Sequence, residues 1–283
     1  MARIATMKVW AVDLGLAVHV EAPNGRYIVI DLGSKDGVSP LQALSGKDVG
    51  YMVITHPHHD HFSDIKNLNS DWQGVLWRVK AYTRDELLDG VRDSEKDDFV
   101  KYCVFTSRFT STVSRENNPA TGILFGGLTA KVFSAIPHDK SNKNNFSAIV
   151  VLQLGNTKVV VCGDNEKESL DILTKKNDFI EAVANASVLV APHHGRESGF
   201  HAKFVNYVNP KITIISDTAK GETSVTEKYD EKTRGHEVLN RSKNEIEERK
   251  CLTTRNDGNI VVRFGEYDNT IIPNPFTVYS HCQ

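Results

Sequence analysis

The chain has 283 residues, 40% of them hydrophobic and 25% charged, with a formal net charge of −2. These are ordinary fractions for a soluble globular protein, and the near-neutral balance excludes a global field that would gather nucleic acid or an anionic membrane, leaving only a local groove for that role. The four cysteines at 103, 162, 251 and 282 are scattered without a Cys-x-x-Cys pair, which excludes a zinc ribbon or a disulfide framework.

Residues 1–8 lack the apolar core of a signal peptide, and no apolar run is long enough to span a bilayer, so a reducing cytoplasm is the expectation. Lys8 to Val12 reads as a short strand. Residues 17–21 and 26–30 read as two more, joined by the turn signal Pro23-Asn24-Gly25. The second of these runs into Asp31-Leu32-Gly33. His19 alternates with Val18 and Val20, which places it on a strand face and away from any site.

The apolar run 49–54 reads as a buried strand and delivers Thr55-His56-Pro57-His58-His59-Asp60-His61. Four potential metal ligands, His56, His58, Asp60 and His61, fall within six positions. Imidazole is the commonest metal ligand, and a carboxylate adds charge and hardness. One residue separates His56 from His58, so a bent loop can aim both at one ion, while Asp60 and His61 face a second. The cluster is internal and interrupted, unlike an expression tag. Residues 62–68 predict the start of a helix.

Residues 71–121 are less regular. Thr83 and Glu86 form a capping-box pattern at a helix start, residues 85–98 read as an exposed acidic helix face, and 107–118 reads as a polar loop. In the second half, 128–136 and 146–154 read as strands, and Gly155-Asn156 turns into a third over 158–162. This hairpin echoes residues 17–31: strand, glycine turn, strand, then an acidic residue, here Asp164. Residues 166–179 predict a helix, and 187–191 a buried strand that delivers Pro192-His193-His194-Gly195. Two adjacent histidines point to opposite sides of the chain and so serve different roles. Phe200, Phe204, Val205 and Val208 lie at helical spacing, and 211–216 reads as a strand. Residues 221–250 predict a charged surface loop followed by a helix near 237–249. Strands are expected again at 261–264 and 277–279.

His-x-His-x-Asp-His after an apolar strand, followed in order by Gly163-Asp164 and Pro-His-His-Gly, resembles the metallo-β-lactamase superfamily. The resemblance implies an αββα sandwich of the α/β class, one domain over 1–283 with variable insertions at about 71–121 and 221–250. It implies two divalent ions, zinc or alternatively manganese, held by His56, His58, Asp60, His61, His138, Asp164 and His194. His138, after the strand ending at Ile136, and Asn145 are the alternatives for the third ligand motif. Asp164 is the implied bridge, Asp31 a supporting residue, and His194 is favoured over His193 as ligand.

Three segments narrow the branch: Asn145-Phe146-Ser147, Pro192 to Gly195, and Thr254-x-x-x-Gly258-x-Ile260. Together they are similar to the hydrolase domain of the DNA-uptake protein ComEC and its stand-alone relatives. That similarity implies a phosphodiesterase or nuclease acting through a metal-activated hydroxide on a phosphodiester, nucleic acid included. Asp60 would orient the hydroxide, and His193 would contact the phosphate or protonate the leaving oxygen. Lys143, Asn145 and Arg196 are the candidate substrate contacts. The alternatives are hydrolysis of a lactam, lactone or thioester, and a non-catalytic binding protein.

Overall fold

The computed structural model describes residues 2–218, 223–267 and 275–282. Five strands open the chain: β1 (Ala2–Val9), β2 (Ala17–Glu21), β3 (Tyr27–Leu32), β4 (Val49–Ile54) and β5 (Val75–Arg78). Helices α1 (Arg84–Leu88) and α2 (Lys96–Ser107) follow. Next come β6 (Thr129–Ser134), β7 (Ala148–Leu154), β8 (Thr157–Val161), α3 (Lys167–Leu173), α4 (Asn177–Val183), β9 (Val188–Val190), α5 (Ala202–Val208) and β10 (Ile212–Ile215). The chain closes with α6 (Thr226–Asp230), β11 (His236–Asn240), β12 (Glu245–Arg249), β13 (Cys251–Thr253), α7 (Thr254–Asp257), β14 (Asn259–Tyr267) and β15 (Phe276–Cys282).

The strands form a nine-stranded sheet in the order β12-β11-β15-β14-β1-β2-β3-β4-β5 and a six-stranded sheet in the order β13-β10-β9-β8-β7-β6. In the first, β1, β2 and β3 pair antiparallel and β3, β4 and β5 parallel. The second repeats that sequence from β6 to β10. The echo between the two hairpins is thus an echo of whole half-sheets.

Alternation along each strand sets the layers. Val18, Val20, Ile28, Ile30 and Val53 face Val150, Leu152, Val159, Val161 and Val190 across the interior. The odd-facing set of the first sheet, Val29, Met52 and Ile54, meets Phe62, Phe99, Tyr102 and Phe105 from the α2 side. The matching set of the second, Ile149, Val151 and Val160, meets Leu170, Phe179 and Phe204. The result is the αββα sandwich, each fully buried aliphatic or aromatic side chain contributing about 1.5–3 kcal/mol. Among the described residues no helix is long and apolar enough to cross a membrane.

Several elements depart from the sequence reading. The helix expected near 237–249 is the hairpin β11–β12. Its glutamates and lysines favour a helix, but Val238 and Asn240 alternate inward, and Asn240 Oδ1 accepts from Ser242 N and Oγ to close the turn. The helix expected over 166–179 is two, α3 and α4, broken at Thr174–Lys176. Residues 62–68 form a short 3₁₀ turn, Ser63–Asn67. The first strand begins at Ala2, earlier than expected, because it pairs along its whole length with β14. The Thr83–Glu86 capping box is present as expected.

Candidate metal centre

The site lies where parallel strands end, as open α/β sheets place their ligands. β3 ends near Asp31, β4 runs into the loop 55–61, β8 into Gly163-Asp164 and β9 into Pro192 to Gly195. A backbone bond joins the two sheets here, Ala148 N donating to Thr55 O, and another ties two loops of the six-stranded sheet, His193 N donating to Gly163 O, each at 2.9 Å. Gly163 sits at φ +52, and a Cβ there would meet Thr55 Cβ at 2.7 Å, so only glycine allows both the turn and the approach.

One ligand group is fully assembled. Single atoms of Asp60, His61, Asp164 and His194 all lie within 4.8 Å of one another. Asp164 Oδ1 is 3.1 Å from His61 Nε2 and 3.4 Å from His194 Nε2. Asp60 Oδ2 is 3.9 and 3.7 Å from the same two nitrogens. These two imidazoles form the inner group. Among the described residues His61 Nε2, His194 Nε2 and Asp164 Oδ1 are buried and lack a hydrogen-bond partner, an arrangement that costs free energy unless a cation completes it. The opposite ring nitrogens are occupied. His61 Nδ1 lies 2.7 Å from Asp31 Oδ2, and His194 Nδ1 donates to Ser216 O at 3.0 Å. Such backing fixes the tautomer and turns the Nε2 lone pair to the metal position. Asp31 also accepts from Thr55 N at 2.6 Å and Thr55 Oγ1 at 2.7 Å, so the strand-terminal aspartate does support the site. The donor set of imidazoles and carboxylates fits a divalent ion of the zinc or manganese type.

Beside it lies an outer group. His56 Nε2 is 2.9 Å from His58 Nδ1 and 3.7 Å from Asp164 Oδ2. His193 Nε2 lies 3.8 Å from that same oxygen. Asp164 therefore turns one oxygen to each group, and Ser147 Oγ holds its backbone N at 3.1 Å.

Charge separates the groups. Burial pulls His61 down, but Asp164, Asp31 and Asp60 outweigh it and hold the imidazole well above its ordinary value. His194 is raised as well, Asp164 overcoming its burial. Burial would push Asp164 up, yet His61, His194 and His56 hold it well below the usual carboxylate range. Asp31 is raised, its burial exceeding the help from His61 and Thr55. In the outer group burial dominates and His56, His58 and His193 are all lowered.

The structure thus brings together His56, His58, Asp60, His61, Asp164, His193 and His194. His138 does not join them. It is exposed, and among the described residues it makes no polar contact with the cluster, because the turn at Asp139 and Ser141 carries the chain outward. Asn145 is buried, but its amide is spent on α3: Oδ1 accepts from Ser169 N and Nδ2 donates to Glu168 Oε2. Lys143 stands with His58 and Asp60 at the mouth of a cavity of about 410 Å³ whose walls include Leu14, Val91 and Phe99. Arg196 lies near enough to His193 for its charge to act there, and its buried Nε has no partner.

Apart from Asp31, sequence reasoning missed the residues behind the histidines. His59, between two ligand pairs, is clamped by Asp98 Oδ2 at 2.8 Å and Glu95 Oε1 at 3.3 Å, which ties the metal loop to α2. Glu166 and Ser198 stand behind His193. Glu166 follows Asp164 by two positions, the one signal that was available.

The family model described as the metallo-beta-lactamase superfamily matches residues 11–216. ComE operon protein 3 of Bacillus subtilis (strain 168) is 24% identical over 187 residues, 65% of this chain and 22% of that protein. The linear primary-alkylsulfatase of Pseudomonas sp. (strain ATCC 19151) is 32% identical over 77 residues, 25% of this chain and 14% of that protein. The chain thus matches less than a quarter of the length of either relative. Among solved structures, the metallo-beta-lactamase fold protein YhfI from Bacillus subtilis aligns with a TM-score of 0.48 at 14% identity, covering 81% of this chain and 93% of that one.

Proposed function

The chain belongs to the metallo-beta-lactamase superfamily, whose members are typically metal-dependent hydrolases, and from that premise we propose that it is a phosphodiesterase or nuclease using two divalent ions, zinc or alternatively manganese. The observation that carries this reading is a groove of about 940 Å³ along the edge strand β5 and the end of β6. Its lining holds Arg78, Lys80 and Arg108 and no carboxylate, over a floor that includes Trp72, Trp77 and Phe146. In a chain of net charge −2 such a one-signed surface selects an anionic substrate, and cations beside aromatic faces suit a phosphate backbone with its bases. A neutral lactam or lactone gains nothing from it. Phe146, at one end of the groove's lining, is followed in the chain by Ser147, whose hydroxyl holds Asp164 N.

Divalent ions bound at Asp164 would supply Lewis acidity and a hydroxide nucleophile at neutral pH. The protein's own groups then do the rest. Asp60, with its side chain 40% exposed and Oδ2 turned inward, accepts a hydrogen bond from the nucleophile and orients it. Lys143 at the cavity mouth and Arg196 beside His193 bind the non-bridging oxygens and offset the charge that grows on them.

The test offers zinc- or manganese-loaded protein single- and double-stranded DNA, RNA, bis(p-nitrophenyl) phosphate, an alkyl sulfate, a cephalosporin and a lactone. Phosphodiester cleavage is expected, lost in Asp164→Ala together with metal loading. Turnover confined to the cephalosporin or the lactone would overturn the reading.

A further inference from the structure

The outer group has His56 and His58 from the metal loop and Asp164 Oδ2, and needs a fourth donor to match the four of the inner one. His138 is at the surface, and Asn145 is committed to α3. His193 is the histidine that reaches Asp164. Its Nε2 is 3.8 Å from Asp164 Oδ2, against 3.7 Å for His56 Nε2 to that oxygen. Oδ1, by contrast, meets His61 and His194.

The other face of His193 is prepared as ligand histidines are. Its Nδ1 lies 2.8 Å from Ser198 Oγ and 3.0 Å from Glu166 Oε1. This is the arrangement that Asp31 gives His61, a carboxylate behind the ring aiming Nε2 forward. Glu166 is itself held, by Asn142 Nδ2 at 2.7 Å and Asn144 Nδ2 at 3.1 Å. The asparagine-rich loop that sequence reasoning placed at the metal works two contacts further back, through Glu166.

The backbone points the same way. His193 and His194 both adopt left-handed conformations, φ 49 and φ 53. Consecutive non-glycine residues seldom accept that strain unless their surroundings fix it, and it gathers at ligand sites. Here it splays two neighbouring rings, 6.2 Å apart and 62° between planes, toward different oxygens of one carboxylate.

We propose that His193 supplies, through Nε2, the third imidazole of the outer metal position, with Glu166 as its positioning residue, in place of a histidine from the segment after β6. The proposal holds for any substrate, since it concerns metal uptake and not turnover. It makes the adjacent pair a branch point, one histidine for each ion.

The test is metal stoichiometry and Co(II) absorption on the full chain, independent of activity. Asparagine tolerates the left-handed backbone, so His193→Asn is the variant that keeps the turn. Wild-type protein should bind two equivalents and His193→Asn one, with the inner Co(II) band unchanged. His138→Asn should bind two. Glu166→Gln should weaken one equivalent by about 10–100-fold and leave the other. Circular dichroism and thermal melting confirm that each variant is folded. A single equivalent in the wild type, two full-affinity equivalents in His193→Asn, loss of both in a folded His193→Asn, or loss of one in His138→Asn would each overturn the proposal.

Discussion

His61 and His194 meet Asp164 from one side and His56, His58 and His193 from the other, and the two groups treat the proton oppositely. The inner rings are buried, yet they are raised, because Asp164, Asp31 and Asp60 surround His61, and Asp164 and Asp60 lie against His194. In the outer rings burial outweighs the carboxylates nearby and all three are lowered. Burial alone therefore does not set a histidine's charge; Asp164 Oδ1 stands at 3.1 and 3.4 Å from the inner Nε2 atoms, while Oδ2 stands at 3.7 and 3.8 Å from those of His56 and His193.

The sharpest way to break this contrast is Asp31→Asn. Asparagine tolerates the left-handed backbone at Asp31, φ 59, and keeps the side chain's shape. It removes the charge behind His61 and forces a donor toward Nδ1 or Thr55. The inner position should lose about 10–100-fold in zinc affinity and the outer little, read as one shifted wave in a zinc titration. Equal loss at both would show that the groups are not separable.

His19 tests the burial half of the contrast away from the metal. Its Nδ1 accepts from Trp10 Nε1 at 3.1 Å, and burial, aided by the charge of Lys8, lowers it to about 3. A histidine lowered in the folded state binds its proton more readily when unfolded. Stability is therefore complete above the unfolded value of 6.5 and falls as pH drops from there toward 3. At pH 5 the loss is about 2 kcal/mol, at ~1.4 kcal/mol per unit. Urea melts of His19→Gln should show a flatter acid limb between pH 6.5 and 4.5; an unchanged slope would assign acid sensitivity elsewhere.

The smallest effect serves as the control. Thr83→Ala removes the capping box of α1 and should cost about 1 kcal/mol by thermal melting, with both metal equivalents retained. Metal loss there would couple the α1–α2 layer to the site.

Much of the site was legible because it is collinear. The run 56–61 leaves one strand and folds back on itself, so spacing alone pairs its ligands. Asp164 and His194 were legible for the same reason, each following a short apolar strand. The approach of His193 to Asp164 was not, since order along the chain favoured His138, which stays at the surface. The basic groove was hidden because residues 72–81, 108–117, 134–136 and Phe146 assemble it from four separate parts of the chain, none a basic stripe by itself. In the fold, hydrophobic alternation marked the buried strands, whereas the hairpin β11–β12 at the sheet's edge carries little apolar signal, and its glutamates read as helix.

The close approach of the two sheets where Gly163 meets Thr55 has a mechanical consequence. His61 comes from the nine-stranded half and Asp164 from the six-stranded half, roughly 100 residues apart along the chain. Holding both in one coordination sphere closes that loop as a cross-link does, and a covalent link of such length is worth about 4–5 kcal/mol. Chelation would then act as an unfastening: the sandwich loses the clasp between its halves, and the stripped chain should open, and yield to proteases, well before any helix on its outside lets go.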